Sequence, residues 1–483
     1  MQLNLLCTSL LALASTPAGT LISHFENVLG TSLELKIKAS TKAHAEQAEA
    51  AILSYLQDLQ EILGASQPGQ GLYEFNQSHQ KPMQVAPELR EVMQLFLDWQ
   101  AHTQGAIHPN THALTQVWRQ AALNQELPDP DQLLALVEAM QESPYEIHED
   151  GRVSKLRSEE LRLHSLAKGY VMEKAAEFAL KQTEVKGVVI NLGGDLTVKG
   201  DIKEWVKIVD PSHAQENAAA LGTLVLENKS LASSGNYKQG FSIQSKSYSH
   251  IFNPKTARPA QDIVHASVIH EHATSAGAMA TAFNVMATQE AQALASKFQA
   301  DYLIIDQENQ PFKSEHWAMS PESSIHSNYF VHHKEKVWNP NLELQINLQL
   351  ADLGGYARRP YVAVWIEDEN QKPIRRLAIW YRKPRWLPDL REFSASLRQA
   401  PYDITSITSA TRSAGKYSLV WDGKDDAGQW VPQGNYTVFI EAAREHGTYQ
   451  LIKQKIICDE KTKQLPMPGN EEVASASLVL KSK

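Results

Sequence analysis

At residue 341 the periodicity of this chain changes. LELQINLQL (342–350) and YVAVWIED (361–368) alternate apolar and polar side chains, the period of a half-buried strand. Before that point, over 41–63, 87–103, 129–142 and 167–181, apolar residues recur at threes and fours, the period of an amphipathic helix. Short alternating stretches separate those helical segments. A chain that switches period in this way is not one repeating architecture, and 483 residues exceed what one hydrophobic core serves. The expected fold class is α+β over residues 21–315, with helices packed on antiparallel sheets. A small, immunoglobulin-like β-sandwich is expected over 341–483. The polar, unpatterned SPESSIHSNY places a linker over 316–340.

Local signals fill in this outline. Residues 21–40 read as strand, with a turn at Gly30, and GASQPGQG ends the first helix. Pro87 sits at a first-turn position of the second helix. GVVINLGGDLTVKG reads as a buried strand, a glycine turn and a further strand. Residues 273–298, Ala-rich with Met and Phe at helical spacing, read as one long helix, and ADYLIIDQ as the strand closing this part. In the tail, WDGKDDAGQWVPQGNYTVFIEA reads as strand, Asp-Gly turn, hairpin and strand.

Composition removes some classes of function. Hydrophobic residues make up 42% and charged residues 21%, the balance of a globular protein, and the net charge of −9 gives no footprint for nucleic acid. The two cysteines, Cys7 and Cys458, offer neither a zinc set nor an internal disulfide once a leader is removed. MQLNLLCTSLLALASTPAGT (1–20) has the apolar core and small-residue end of a secretory signal, although the first Lys or Arg is Lys36. That run is too short to span a bilayer. A soluble exported protein, placed in the periplasm, is expected.

Four stretches suit ligand binding. LAKGYVMEKA (166–175) opens a helix with Lys168 at its mouth, where free N–H groups and the positive dipole end favour phosphate. The plainer reading is that Gly169 lets the helix pack. NLGGDL (191–196) follows a buried strand; Gly193 and Gly194 allow positive φ, and Asp195 either orients a ligand or caps the turn. LASSGNY (231–237) offers hydroxyls and Gly235, but Ser233 and Ser234 lack the frame of an acyl nucleophile. SAGAMATAFNV (275–285) puts small residues on an early helical turn, either for tight packing or for close approach of a ligand or metal. Beside these four, YSHIFNPKTARP (248–259) is an X-Pro turn that serves either as a local device or as one wall of a site.

Taken in order, HTQGAIHPN, LAKGYVME, NLGGDL, LASSGNY, YSHIFNPKTARP and AGAMATAFNVM resemble the FAD:protein FMN transferases, the ApbE-type flavin transferases, over roughly residues 25–310. The tail from about 340 resembles an uncharacterised β-domain fused behind such enzymes and is similar to immunoglobulin-like modules of exported proteins. The resemblance implies that FAD is a substrate: its pyrophosphate is cleaved, FMN is attached to a Thr or Ser of an exported acceptor protein, and AMP leaves. It also implies Mg²⁺, and extends to peripheral association with membrane redox complexes. Carried over residue by residue, it assigns cofactor binding to Ala106, Ile107, His108, Arg162, Lys168, Gly193, Gly194, Asp195, Ser234, Gly235, His250, Ile251 and Asn253. Lys168 and Thr281 are the implied catalytic residues, and Ser165, Gly277 and Thr281 occupy the metal positions.

The chain departs from the family pattern at informative places. His108 stands where the family has an acid, Arg162 replaces another, and His164 and Ser165 replace two glycines. Gly277 stands where the metal-binding Asp belongs, and Ala257 replaces a glycine of the turn. With those carboxylates gone, the Mg²⁺ site is expected to be weak or absent. Three readings follow. Arg162 and Lys168 neutralise the pyrophosphate and transfer survives; the site binds FAD without cleaving it; or the chain is a scaffold acting through its β-domain. His270 and His272, at i and i+2, read as surface histidines, or as two ligands of a transition-metal clamp with no third in view.

Overall fold

The computed structural model describes residues 19–78, 81–209, 220–235, 240–319, 337–354, 358–382, 384–400, 402, 404, 407–445 and 447–483. Most of the expected leader, Cys7 and the greater part of the expected linker lie outside these residues, as do Asn236 and Tyr237.

The first part is built on an eight-stranded sheet in the order Thr20–Val28, Thr31–Ala39, Val185–Leu192, Asp195–Gly200, Ser230–Gly235, Ile263–His270, Asp301–Asp306 and Pro311–Lys313. Every neighbouring pair is antiparallel. The two faces carry different covers because alternate side chains point to opposite sides. On one face Val188, Ile190, Ala266 and Val268 pack against the helices Lys42–Leu63, Pro87–His102, His164–Leu180 and Ala273–Phe283. On the other, Val189, Leu196, Leu231 and Ile305 pack against Ile208 and Leu224 of the hairpin Glu204–Val209/Ala220–Leu226, and against Trp317.

The 273–298 segment is two helices, Ala273–Phe283 and Thr288–Lys297, not one. Asn284 turns its amide back onto the Ala280 carbonyl at 2.8 Å, and Glu290 accepts the Ala287 N–H at 3.3 Å to open a fresh helix. Helical periodicity runs through the break because both pieces bury the same kind of face. Two further helices, Gly71–Gln77 and Thr111–Asn124, lie where the sequence shows only a break and a motif.

The tail is sheet-rich. A four-stranded sheet, Gly415–Trp421, Leu342–Leu350, Val473–Ser482 and Lys463–Met467, shares one apolar cluster with a five-stranded sheet, Thr408–Ser409, Pro373–Trp380, Tyr361–Asp368, Gly434–Ala443 and Tyr449–Cys458. The helix Arg391–Gln399 packs outside the five-stranded sheet. Cys458 is a free, buried thiol whose pKa burial pushes up to about 12. The tail touches the first part along its outermost strand. The His24 N–H donates to the Arg382 carbonyl at 2.8 Å, the His24 ring meets Tyr381 edge-on, and Arg359 pairs with Glu26 at 3.0 Å. A sheet edge that would otherwise present unpaired N–H and C=O groups is thereby covered.

Candidate functional site

The glycine turn is required by its backbone. Gly193 and Gly194 have φ of 65° and 98°, and a Cβ on Gly193 would sit 2.5 Å from the Thr31 hydroxyl. The Gly193 N–H donates to the Ser32 carbonyl and the Gly194 N–H to Asn191 Oδ1, which fixes the turn beside the first hairpin. Asp195 follows immediately. Its Oδ1 accepts the Ser233 N–H at 3.0 Å, and Lys168 Nζ lies 3.3 Å from Oδ2. Burial raises the Asp195 pKa, with Lys168 and the Ser233 N–H opposing it. The carboxylate therefore spans two strands and the Lys168 helix, and leaves the ammonium half-exposed.

Lys168 lies near the start of the helix His164–Leu180. Arg162, just before it, pairs with Glu160 at 2.5 Å, and its Nη1 donates to the Ser66 hydroxyl at 3.2 Å. His112 approaches the same Glu160 at 3.8 Å. The pKa of His164 is lowered by burial first, then by Arg162, His112 and Lys168. Burial, then Arg162, also lowers that of His112, with Glu160 opposing. Lys168 is thus the cation near the start of this helix, where an anion is favoured, while Arg162 is paired with Glu160 and the lowered pKa values of His112 and His164 favour neutral rings. His112 and His164 were not among the expected site residues; the doubled histidines of HPNTH and RLHS carry no spacing that announces them.

Gly169 has a packing role. A Cβ there would meet the Ala273 carbonyl oxygen at 2.6 Å, so the glycine lets the Lys168 and Gly277 helices touch backbone to backbone. Glu173 locks the contact. Its carboxylate accepts the Thr274 N–H at 3.2 Å and hydroxyl at 3.1 Å, and pairs with His272 Nδ1 at 2.7 Å. His270 is held between the Phe298 carbonyl and the His272 N–H, so each ring of the pair has its own structural partner.

Gly277 differs from Gly169. A Cβ added there would meet nothing nearer than the Ser165 carbonyl oxygen, at 3.8 Å. In the helix Ala273–Phe283 only Ser275, Gly277 and Thr281 escape burial, and Gly277 and Thr281 share a face one turn apart. The structure therefore brings Ser165, Gly277 and Thr281 together around one open space. Ser234, at the end of its strand, is tied to the same helix by Asn284, whose amide reaches the Ser234 carbonyl at 3.4 Å. Gly235 ends that strand.

The turn of YSHIFNPKTARP is held by Asn253, which accepts the Lys255 N–H on Oδ1 and the Thr256 and Ala257 N–H groups on its carbonyl. Ala257, which stands where the family has a glycine, has a left-handed φ of 54°. It is fully buried, and its carbonyl accepts the Trp118 indole N–H at 3.0 Å. Packing against Trp118 and Phe252 thus sustains a conformation that glycine would adopt more easily. Ile251 is buried and His250 exposed. The turn adjoins the loop of Ala106, Ile107 and His108, because Lys255 Cε lies 4.0 Å from where a Gly105 Cβ would stand. All three loop residues are buried. His108 Nδ1 accepts the Asn110 N–H, and burial lowers its pKa to about 4. It is thus a neutral ring and supplies no positive charge at neutral pH.

A cavity of about 650 Å³ opens at the tip of the first hairpin, lined among others by Asn27, Leu53, Gln57, Gln60 and Gln70. None of the expected binding residues lines it. Arg162 connects the helix mouth to its rim through Ser66, the residue before the lining stretch Gln67–Gln70.

An antiparallel sheet with helices on one face, and a glycine turn, a basic helix mouth and a small-residue helix gathered on its helical side, defines a flavin-transferase type of fold. Residues 29–304 match the ApbE family, and this chain belongs to it. Residues 341–475 match a family described as predicted periplasmic protein. Among relatives, the chain is 25% identical to a FAD:protein FMN transferase of Haemophilus influenzae, over 60% of this chain and 87% of that one. It is 26% identical to one of Treponema pallidum, over 57% and 82%. The ApbE protein of Thermotoga maritima superposes with a TM-score of 0.54 at 22% identity, covering 61% of this chain and 97% of that one. Flavin transferase ApbE of Vibrio cholerae gives 0.51 at 19%, covering 62% and 98%.

Proposed function

We propose that this chain is an exported FAD:protein FMN transferase. The observation that carries the reading is Lys168, near the start of its helix, paired at 3.3 Å with Asp195 of the Gly193–Asp195 turn. Relatives bearing that activity, matched over most of their length, support it. The pyrophosphate of FAD lies across the helix mouth, where N–H groups and Lys168 meet its negative charge. A Thr or Ser hydroxyl oxygen of the acceptor attacks the FMN-side phosphorus. A P–O bond to the acceptor forms, the P–O bond to AMP breaks, AMP takes the leaving electron pair, and the hydroxyl proton passes to solvent water. Asp195 acts as a positioning residue, holding Lys168 toward the phosphates while bonded to the Ser233 N–H. The loop 106–108 and the turn 250–253 form the flavin-side wall.

The family implies Mg²⁺, but the donor set here does not fit it. A hard divalent cation needs charged oxygens. Around the Gly277 space stand one carbonyl and one hydroxyl, and both Asp195 oxygens are engaged. No step above passes through a metal. The reading puts the whole chain in the periplasm, with 316–340 as the proposed linker to the tail; the description of the tail's matching family, predicted periplasmic protein, supports this. Its immunoglobulin-like character is proposed from its two facing sheets. The acceptor's identity and any association with membrane redox complexes rest on the resemblance alone.

The test is FAD binding and AMP release by purified protein with an acceptor peptide, beside Lys168→Ala. Loss of one charge-assisted contact is worth about 1.5–3 kcal/mol, so FAD affinity should fall tenfold or more. Unchanged affinity would remove Lys168 from the site. Bound FAD with no AMP under any condition would leave a flavin binder, and no FAD uptake would leave a scaffold.

A further inference from the structure

We infer that the space beside Gly277 does not hold a divalent cation in this protein, and that the positive charge facing the FAD pyrophosphate comes from Lys168 and Arg162 instead. The inference rests on the transferase reading for the identity of the ligand, and on the structure for the cation. Gly277 offers no ligand atom beyond its backbone, and a side chain there would enter open space toward the Ser165 carbonyl, 3.8 Å from the Cβ position. Thr281, one turn on and half-exposed, adds a neutral hydroxyl. Asp195, the carboxylate of the glycine turn, has one oxygen on the Ser233 N–H and the other on Lys168. Among the described residues no group of three or more His, Cys, Asp or Glu side chains is placed to hold a metal. Neutral oxygens alone bind a hard cation weakly, because the ion surrenders hydration without gaining a fixed negative charge.

Two cationic side chains are placed to do the work instead. Lys168 shares its ammonium with one Asp195 oxygen at 3.3 Å and keeps hydrogens for a further acceptor. Arg162, two residues before the helix that carries Lys168, pairs with Glu160 through Nη2 and bonds Ser66 through Nη1, and its buried Nε has no partner among the described residues. These cations are covalently fixed, so they neutralise phosphate without a metal to recruit.

The experiment is a titration of the full chain with Mn²⁺ alone, reading the electron paramagnetic resonance signal of the free ion, beside Gly277→Asp and Gly277→Asn. The wild type should leave the signal undiminished. Gly277→Asp restores a carboxylate on the Ser165–Thr281 face and should bind Mn²⁺ at least about tenfold more tightly, the effect of one charged contact. Gly277→Asn adds the same bulk without charge and should behave as wild type. FAD affinity of the wild type should be the same in Mg²⁺ and in EDTA. Stoichiometric Mn²⁺ binding by the wild type, or loss of FAD binding in EDTA, would overturn the inference. So would a folded Gly277→Asp that binds no Mn²⁺. Should Gly277→Asp fail to fold, the wild-type titration and the EDTA comparison decide alone. AMP release, measured separately, reports on the transferase reading: its absence in every condition would sink that reading and leave the cation result standing.

Discussion

The two parts of this molecule bury their helices and sheets by opposite means. Where the Lys168 and Gly277 helices meet, the contact is made of Gly169, Ala273 and Thr274, so backbones touch and small side chains leave room at the surface. In the tail, Trp365, Trp380 and Trp421 are fully buried and fill the layers outright. Trp365 stacks on Phe439, and Trp421 packs against Trp338 and Tyr436. Small residues let ligands approach a rigid backbone, while large ones exclude everything. The difference places chemistry in the first part and gives the tail the interior of a packing module. Yet both parts use one device: a carboxylate distant in sequence caps a helix. Glu173 does so at Thr274, and Glu441, fully buried with its pKa raised by that burial, accepts the N–H groups of Glu392 and Phe393 at 2.9 and 2.8 Å.

The largest expected effect lies in the tail. Trp421→Ala empties a site between two sheets and costs about 3–5 kcal/mol. Thermal unfolding should show the tail melting first, with FAD affinity of the first part retained below that transition. Parallel loss of FAD binding would show that the parts do not stand apart as the packing contrast implies.

Next comes a pH effect in the first part. His108 is buried, and its folded pKa of about 4 lies below the usual 6.5. Below pH 6.5 the unfolded chain takes up a proton that the folded chain refuses until about pH 4. Stability from this group is complete above 6.5 and is lost as the pH falls to about 4, by about 3 kcal/mol in all. Unfolding midpoints between pH 7 and 4 should fall less steeply in His108→Gln, and an equal slope in both proteins would count against the buried neutral ring.

The smallest effect tests the shared device. Glu173→Ala removes a helix cap and should cost about 1 kcal/mol. Because Glu173 joins the Lys168 and Gly277 helices, faster amide exchange should appear at Thr274 and the residues after it, and not in the tail. Unaltered exchange there would mean that the Gly169 contact alone fixes the helix.

Local pattern announced much of this architecture. The first hairpin with its turn at Gly30, the helix ending at Leu63, the strand–turn–strand of GVVINLGGDLTVKG and the alternating strands from 342 all follow from periodicity and turn residues, which act between near neighbours. The motif segments were equally legible as segments. The break at Asn284 was hidden because a side chain folding back onto the Ala280 carbonyl leaves the apolar period intact. What the sequence by itself determined is which residue types stand at each site position, including the absence of an acid at 277 and a glycine at 257. Only tertiary structure decided what those absences do. Ala257 keeps its left-handed backbone because Trp118, far away in sequence, holds its carbonyl. Gly169 and Gly277, alike as letters on two helices, meet a packed backbone in one case and open space in the other. The physical reason is that close approach, burial and charge partnership depend on distances between segments, which one-dimensional spacing does not contain.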